Sequence, residues 1–248
     1  MEGKIKFTYF GIPGRGEPTR LALWIGKKEF EDVHIEFKDW AKLKPTAPWG
    51  TLPFLELANG KKIGQTRSCT RFACKSTGLY PEDPYQAALC DDIFDILEDV
   101  QKIVNDTGKG QEKEDKLKAR KEVVTSGKAA DLLKKIEAFI SENGKDGHAV
   151  GKACFKSPFQ STESSPRDTQ QFHIIGNKMT MADIAIFSYG TMLVCGFFDG
   201  IPKDLYSSYP KLNAVRKTVG SHPQVIARYE AEKSENPIWK VFSSVKDL

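Results

Sequence analysis

A glycine-rich turn at residues 9–20, YFGIPGRGEPTR, stands between an apolar run and a helical pattern. Turns of this kind often bind phosphate, but this one fails both phosphate-binding motifs. The dinucleotide fingerprint needs a third glycine where Thr19 stands, and the P-loop needs a lysine where Glu17 stands. The Glu17 carboxylate would repel a phosphate, and Pro18 lacks a backbone donor. Nucleotide binding is therefore not expected at this turn.

Two residues beside these glycines offer a different chemistry. Tyr9 stands at the end of a predicted strand, and ligand crevices in open α/β sheets lie outside such ends. Arg15 stands near the start of a predicted helix. A phenolic donor and a cation beside a helix N-terminus can stabilise a thiolate or another anion. The alternative is that Tyr9 packs in the core and Arg15 is a surface charge.

Cysteine and histidine do not form a second candidate site. The five cysteines are scattered and include no CxxC pair, which is typical of free thiols in a reducing compartment. The four histidines show no spacing that favours metal binding. We interpret the cysteines as packing residues, and no bound metal is expected.

The elements that must position Tyr9 and Arg15 predict a small α/β unit. Residues 4–10 alternate apolar and polar side chains, which predicts a half-buried strand. The other predicted elements are a helix at 17–26, a strand at 33–37, a hairpin around the Asn59-Gly60 turn and a helix at 66–76. This order predicts a mixed sheet within about 80 residues.

The rest of the chain predicts helices throughout. Apolar residues recur at helical spacing in segments 85–106, 116–142, 181–194, 210–219 and 223–232. Residues 152–177 differ, because they are aperiodic and rich in Ser, Thr, Pro and Gln, which predicts a loop or disordered insert. We therefore predict a first domain at 1–82 and an all-helical domain at 83–248 that carries the insert at 152–177.

Composition argues against several classes of protein. The 37 basic and 33 acidic residues are dispersed along 248 residues, so no nucleic-acid surface is expected. The most apolar stretch, 184–198, has about 15 residues, whereas a membrane-spanning helix needs about 20. No membrane partner and no signal peptide are expected, and a cytoplasmic location is predicted.

Several separate stretches, in one order, resemble the cytosolic glutathione transferases. They are TYFGIPGRGEPTRLAL, DWAKLKPTAPWGTLPFLEL and GQTRSCTRFA in the first domain, then GKDGHAVGK, TMADIAIF and YPKLNAVRKTVGSHPQV in the second. The sigma class, which includes haematopoietic prostaglandin D synthase and the S-crystallins, is the most similar. The resemblance covers nearly the whole chain except about residues 152–177. It implies an α/β plus all-α fold, with a thioredoxin-like domain followed by an all-helical domain.

The resemblance also implies a glutathione site. Tyr9 matches the catalytic tyrosine, and Arg15 matches the arginine of the following turn. The residues implied to bind glutathione are Tyr9, Arg15, Trp40, Lys44, Leu52, Pro53, Gln65, Thr66 and Asp99. The resemblance implies a cis bond before Pro53. It also implies a homodimer, because Asp99 matches an acidic residue that reaches the partner subunit's glutathione. Thr66 departs from the usual serine but keeps its hydroxyl.

The implied activity is conjugation of glutathione, the co-substrate, to small hydrophobic electrophiles in detoxification. The Tyr9 hydroxyl would donate a hydrogen bond to the glutathione sulfur and lower the pKa of the thiol, which is about 8.5 when free. Arg15 would support the field around the sulfur. The predicted electrophile pocket is formed by Phe10, Gly14, Gln101 and Asn105.

Three alternatives stay open. One is a glutathione-dependent prostaglandin isomerase, although that activity needs apolar residues where Gln101 and Asn105 stand. Another is a non-enzymatic relative, crystallin-like or ligand-binding, which the insert at 152–177 favours. The third concerns a divalent ion, since Asp95, Glu98 and Asp99 match or adjoin carboxylates that hold one in the prostaglandin synthase. These three residues equally fit a solvated acidic helix face.

Overall fold

The first domain is built on a four-stranded mixed sheet. A computed structural model describes residues 4–150, 178–232 and 237–243, so the predicted insert at 152–177 lies outside the described residues. The strands are β1 (Ile5–Phe10), β2 (Phe30–Ile35), β3 (Phe54–Glu56) and β4 (Lys62–Gly64). Their order is β2-β1-β3-β4, with β1 and β2 parallel and the other pairs antiparallel. The predicted mixed sheet is confirmed.

Ten α-helices occur in the part of the chain that the structure describes. Those of the first domain are α1 (Glu17–Ile25), α2 (Trp40–Leu43) and α3 (Thr66–Ser76). Those that follow are α4 (Pro84–Asp106), α5 (Lys113–Thr125), α6 (Lys128–Asn143), α7 (Met181–Val194), α8 (Pro210–Gly220), α9 (Pro223–Ala231) and α10 (Pro237–Ser243). The predicted fold class, a thioredoxin-like unit followed by helices, is confirmed.

Helix α7 forms the centre of the helical part. Its residues from Met181 to Leu193 are all buried, and it packs against α4 and α8 and also against α1. Thr180 and Asp183 form a capping box at its N-terminus. The Asp183 carboxylate accepts from the Thr180 N–H at 2.7 Å, and from the Ala149 N–H at 2.7 Å. The cap therefore ties α7 to the backbone at Ala149.

Two predicted elements differ from the structure, and one observed helix was not predicted. Strand β2 begins at Phe30 rather than at residue 33, because its six residues pair in register with all of β1. The single helix predicted at 116–142 is two helices, because Gly127 is extended at φ −96° and ψ −164°. A Cβ at Gly127 would lie 2.9 Å from the Val123 Cα, so the break needs a glycine. Helix α10 was not predicted, since its apolar pattern is short.

Candidate active site

The Tyr9 ring lies against the glycine turn that follows β1. The Arg15 backbone N–H donates a hydrogen bond to the Tyr9 hydroxyl at 3.1 Å. A Cβ at Gly14, where φ is +44°, would lie 2.8 Å from that hydroxyl oxygen. A Cβ at Gly16 would lie 2.5 Å from the Tyr9 Cδ1. Glycine is therefore needed at both positions for the backbone to approach the ring.

The hydrogen bond from Arg15 leaves the Tyr9 hydroxyl free to act as a hydrogen-bond donor. A phenol carries one proton and two acceptor lone pairs, so an oxygen that accepts from Arg15 keeps its own proton for a ligand. Burial raises the pKa of Tyr9, and the Arg15 N–H and the nearby arginine charges offset that rise only in part. Tyr9 is therefore a neutral hydrogen-bond donor at physiological pH.

Arg20, which the sequence analysis missed, holds the same turn from inside the protein. Its guanidinium is fully buried and donates to the Ile12 carbonyl at 2.8 Å and to the Phe10 carbonyl at 3.0 Å. Its Nε donates to the Asp32 carboxylate at 2.8 Å, which balances the charge. The sequence did contain a signal for the burial of Arg20. This charged residue stands at helical spacing from the apolar Leu23 and Trp24, and so on the apolar side of α1.

A pocket of about 320 Å³ lies beside Tyr9. It is lined by Tyr9, Ile12, Gly14, Arg15, Gln101, Lys102, Asn105, Met192, Phe197 and Phe198. Three predicted pocket residues, Gly14, Gln101 and Asn105, thus lie together. The Phe10 ring instead stacks on Phe37, with ring centroids 4.3 Å apart. The apolar lining by Met192, Phe197 and Phe198 was missed, because Met192 lies in the last turn of α7 and the two phenylalanines follow that helix without any pattern of their own.

A second, polar cleft of about 410 Å³ shares Arg15 and Lys102 with this pocket. Its lining consists of Arg15, Gln65, Thr66, Arg67, Ser68, Glu98, Asp99 and Lys102. Gln65 has φ +71° and directly precedes α3, so Thr66 opens that helix at its positive end. Arg15 stands between a polar cleft and a mostly apolar pocket. Asp99 lies on the cleft of its own subunit, and its reach to a partner stays a prediction.

The remaining predicted glutathione residues lie between β2 and β3. Trp40 opens α2, and its ring meets Phe10 edge-on with centroids 6.4 Å apart. Lys44 follows α2 and is exposed. The Leu52-Pro53 bond is cis, as the resemblance implied, and it leads into β3. The structure thus links Trp40 to the site through Phe10, and it places Lys44 and Leu52 on the same connection.

Two of the three carboxylates considered for a divalent ion have protein partners. Asp95 forms an ion pair with Arg67, and Glu98 accepts from the Tyr189 hydroxyl at 3.2 Å. Over residues 4–150, 178–232 and 237–243, no group of three His, Cys, Asp or Glu side chains is placed to hold a metal ion. Asp95 and Glu98 are thus engaged in contacts within the protein.

The four cysteines within the described ranges are buried free thiols. Burial raises the pKa of Cys69 and of Cys90 to about 12, so both stay protonated at neutral pH. A thiol is a nucleophile only as its thiolate. This agrees with the interpretation of the cysteines as packing residues.

Comparison with known proteins gives matches across the chain. Residues 158–233 match the family described as "Glutathione S-transferase, C-terminal domain". Glutathione S-transferase 1 of Ascaris suum is 33% identical over 162 residues, which cover 64% of this chain and 77% of that protein. Hematopoietic prostaglandin D synthase of Gallus gallus is 29% identical over 222 residues, covering 90% of this chain and 93% of that protein. The glutathione S-transferase structure from Ascaris lumbricoides has a TM-score of 0.67 at 26% identity, covering 94% and 99% of the two chains.

These matches confirm the resemblance to the cytosolic glutathione transferases, and they do not distinguish the sigma class from other classes. No helix within the described residues is long and apolar enough to cross a membrane. The match to the Ascaris suum enzyme exceeds 30% identity and spans more than two thirds of its length, and the fold agrees. The chain therefore belongs to the glutathione S-transferase family.

Proposed function

We propose that the chain conjugates the glutathione thiolate to small electrophiles, with Tyr9 activating the thiol. As a member of its family, the chain is a transferase whose co-substrate is glutathione. The main support for the proposed role of Tyr9 is the 3.1 Å hydrogen bond that its hydroxyl accepts from the Arg15 N–H. Because that oxygen already accepts, its proton is left to point at the sulfur.

The proposed reaction starts with loss of the thiol proton to solvent. The Tyr9 hydroxyl donates to the resulting sulfur anion, which stabilises it and lowers the pKa of the thiol. The sulfur electron pair then attacks the electrophilic carbon, and the leaving group departs with its bonding electrons. Arg15 adds positive charge next to the sulfur. Tyr9 keeps its own proton throughout, in line with its raised pKa.

The polar cleft is the proposed place of the glutathione γ-glutamyl end. Gln65 and Thr66 would hold it at the start of α3, and Arg15 would lie between it and the sulfur. Trp40 and Lys44 would hold the glycine end, and the Leu52 backbone would pair with the cysteine. We also propose that the chain is a homodimer in which Asp99 of the partner subunit completes the cleft.

The pocket beside Tyr9 is the proposed electrophile site. Ile12, Met192, Phe197 and Phe198 provide an apolar surface, and Gln101, Lys102 and Asn105 provide a polar one. An electrophile with an aromatic or aliphatic body and a polar substituent fits this division. Detoxification in the cytoplasm is the proposed role, and the mixed lining of this pocket supports it.

Prostaglandin isomerisation is the second candidate. Gln101 and Asn105 counted against it, but the aromatic pair Phe197 and Phe198 supplies apolar surface that the sequence did not indicate. The similarity to the Gallus gallus prostaglandin D synthase also favours it. Product analysis with a prostaglandin endoperoxide as the substrate would decide, because isomerisation leaves glutathione unconsumed whereas conjugation uses it stoichiometrically.

The proposed conjugation is tested by binding and turnover together. The protein is bound to immobilised glutathione, and conjugation of a chlorodinitrobenzene-type acceptor is assayed for wild type and Tyr9→Phe. We expect both proteins to bind and the variant to lose about 10²-fold in kcat, the typical cost of removing a donor that stabilises a developing anion. Wild-type turnover that Tyr9→Phe leaves unchanged would refute the role of Tyr9. Binding without turnover in wild type would refute conjugation itself.

A further inference from the structure

We propose that Trp239, on the C-terminal helix α10, is a positioning residue for thiol activation by Tyr9. The inference rests on the proposed function, since it concerns the same hydroxyl. The indole Nε1–H of Trp239 donates to the Gly11 carbonyl at 3.1 Å, across 228 positions of the chain. Gly11 lies two residues after Tyr9, at the start of the turn that brings Arg15 back to the Tyr9 hydroxyl.

Three consecutive carbonyl groups of this turn are held by side chains from outside it. Arg20 donates hydrogen bonds to the Phe10 and Ile12 carbonyls at 3.0 and 2.8 Å. Trp239 donates to the carbonyl of Gly11, which lies between them in the chain. The two side chains also meet, with the Arg20 guanidinium 5.8 Å from the Trp239 ring. Arg20 on α1 and Trp239 on α10 therefore hold the turn from two sides, and we call this pair of side chains the clamp.

Helix α10 is anchored firmly enough to act as one side of this clamp. Trp239 is 2% exposed and Phe242 is 1% exposed, and both rings pack against Tyr229 of α9. The Tyr229 hydroxyl donates to the Glu17 carboxylate at 2.9 Å, at the first residue of α1. The Arg228 guanidinium lies 5.0 Å from the Trp239 ring. The C-terminal helices thus contact both ends of the segment that carries Arg15.

The clamp acts on chemistry through one hydrogen bond. The Arg15 N–H reaches the Tyr9 hydroxyl only while residues 10–15 keep their path. Without the Trp239 donor, the Gly11 carbonyl loses its partner on α10 and the turn gains freedom. The Tyr9 oxygen then spends more time without the Arg15 N–H, so its proton is less well directed at the sulfur, and the thiol pKa rises.

A purely structural role for Trp239 predicts something different. Loss of packing on α10 would lower the stability of the protein without moving the pKa of the bound thiol. Phe242 provides the matched control, because it is equally buried in the same aromatic cluster and Phe242→Leu leaves the bond to Gly11 in place. Trp239→Phe keeps an aromatic ring at its position but removes the donor.

The test compares wild type, Trp239→Phe, Phe242→Leu and Tyr9→Phe. At saturating glutathione, the pH dependence of kcat/KM for a chlorodinitrobenzene-type acceptor reports the pKa of the enzyme-bound thiol. Amide hydrogen exchange of residues 10–16 reports the turn, whether or not the protein turns over. We expect Trp239→Phe to raise the apparent thiol pKa by about half a pH unit, which is the size of effect that one net hydrogen bond has. We also expect faster amide hydrogen exchange in the turn. Phe242→Leu should do neither.

Several results would overturn the proposal. They are an unchanged pH profile in Trp239→Phe, an equal shift in Phe242→Leu, or unchanged exchange at residues 10–16. If Tyr9→Phe leaves the pH profile of wild type unaltered, the proposed function fails separately, and the exchange measurement alone decides the clamp. If Trp239→Phe does not fold, replacing Trp239 by 3-benzothienylalanine, with sulfur in place of N–H, removes the donor and keeps the shape.

Discussion

The surroundings of Tyr9 are what fit a residue of common type to its proposed role. Its hydroxyl accepts a hydrogen bond from the Arg15 N–H, and the buried Arg20 guanidinium lies 5.6 Å from its ring centroid. Gly14 and Gly16 lie against its side chain. The sequence indicated Tyr9 and Arg15 as a pair, together with the glycines between them. It did not indicate that the glycines are required by the Tyr9 ring, because that depends on the return path of the chain.

The close approach at Gly14 predicts the effect of one added methyl group. Gly14→Ala should lower kcat/KM at least about tenfold and destabilise the fold by about 1–3 kcal/mol, because its Cβ would displace the Tyr9 hydroxyl and φ is positive. The control is Gly60→Ala, at φ +78° with no atom within 4 Å of the new Cβ. It should cost about 1 kcal/mol of stability and no activity. Chemical unfolding and steady-state kinetics check both, and equal activity losses would contradict the account.

The position of Phe197 on the proposed electrophile pocket leads to a prediction about substrate binding. Phe197 is 44% exposed and lines the pocket, so Phe197→Ala should raise KM for an aromatic electrophile severalfold and leave the pH profile unmoved. Tyr85→Ala, which removes a similarly exposed ring away from the pocket, is the control. Steady-state kinetics with the electrophile varied at saturating glutathione measures this. A changed pH profile in Phe197→Ala would show that the residue acts on the thiol instead.

The elements were more predictable than the contacts between them. Helix α3 follows its predicted bounds because its apolar spacing and Gly78 are local signals. The break between α5 and α6 was missed because Gly127 sits inside an otherwise continuous helical pattern. The roles of Arg20 and Trp239 were missed for a different reason. Each side chain lies on a helix and donates to a carbonyl of the turn after β1, so its partner lies outside its own element. Local sequence does not specify such partners.

The cap of α7 predicts a pH dependence of stability. His148 Nδ1 lies 3.6 Å from the buried Asp183 carboxylate, which raises the pKa of His148 above 6.5 because it favours the protonated ring. The folded pKa thus exceeds the unfolded one, so this stabilisation is complete below about pH 6.5 and is lost as pH rises through the folded pKa. Urea unfolding of wild type and His148→Gln between pH 5.5 and 8.5 checks it. Wild type should lose stability relative to the variant with rising pH, and parallel curves would contradict the assignment.

At the scale of the whole molecule, the proposed active site is assembled from segments distant in sequence. Tyr9 comes from β1, Gln101 from α4, Phe197 from the chain after α7, and the turn is braced from α10. The resemblance implied the fold, which the structure confirms, and the glutathione residues, which stay a prediction. Composition and periodicity alone would not have brought these segments together, because they carry no information on long-range pairing.

The proposed homodimer makes a prediction about subunit complementation. If Asp99 acts on the partner's cleft, a mixed dimer of Gln65→Ala and Asp99→Ala subunits holds one site with both changes and one site with neither. Coexpressed and purified as the mixed dimer, it should recover about half the wild-type activity at low glutathione. If Asp99 acts on its own subunit's cleft, both sites carry a defect and no activity returns. Elution as a monomer in light-scattering chromatography would contradict the dimer itself.

The central claim is that the Tyr9 hydroxyl stabilises the glutathione thiolate, and the pKa of the bound thiol tests it most directly. Ultraviolet absorbance of the thiolate is titrated against pH in the complex of glutathione with wild type and with Tyr9→Phe, without any electrophile. The account predicts a thiol pKa in the wild-type complex at least about one unit below the free value of about 8.5, and a return towards that value in Tyr9→Phe. The same thiol pKa in both complexes would contradict it.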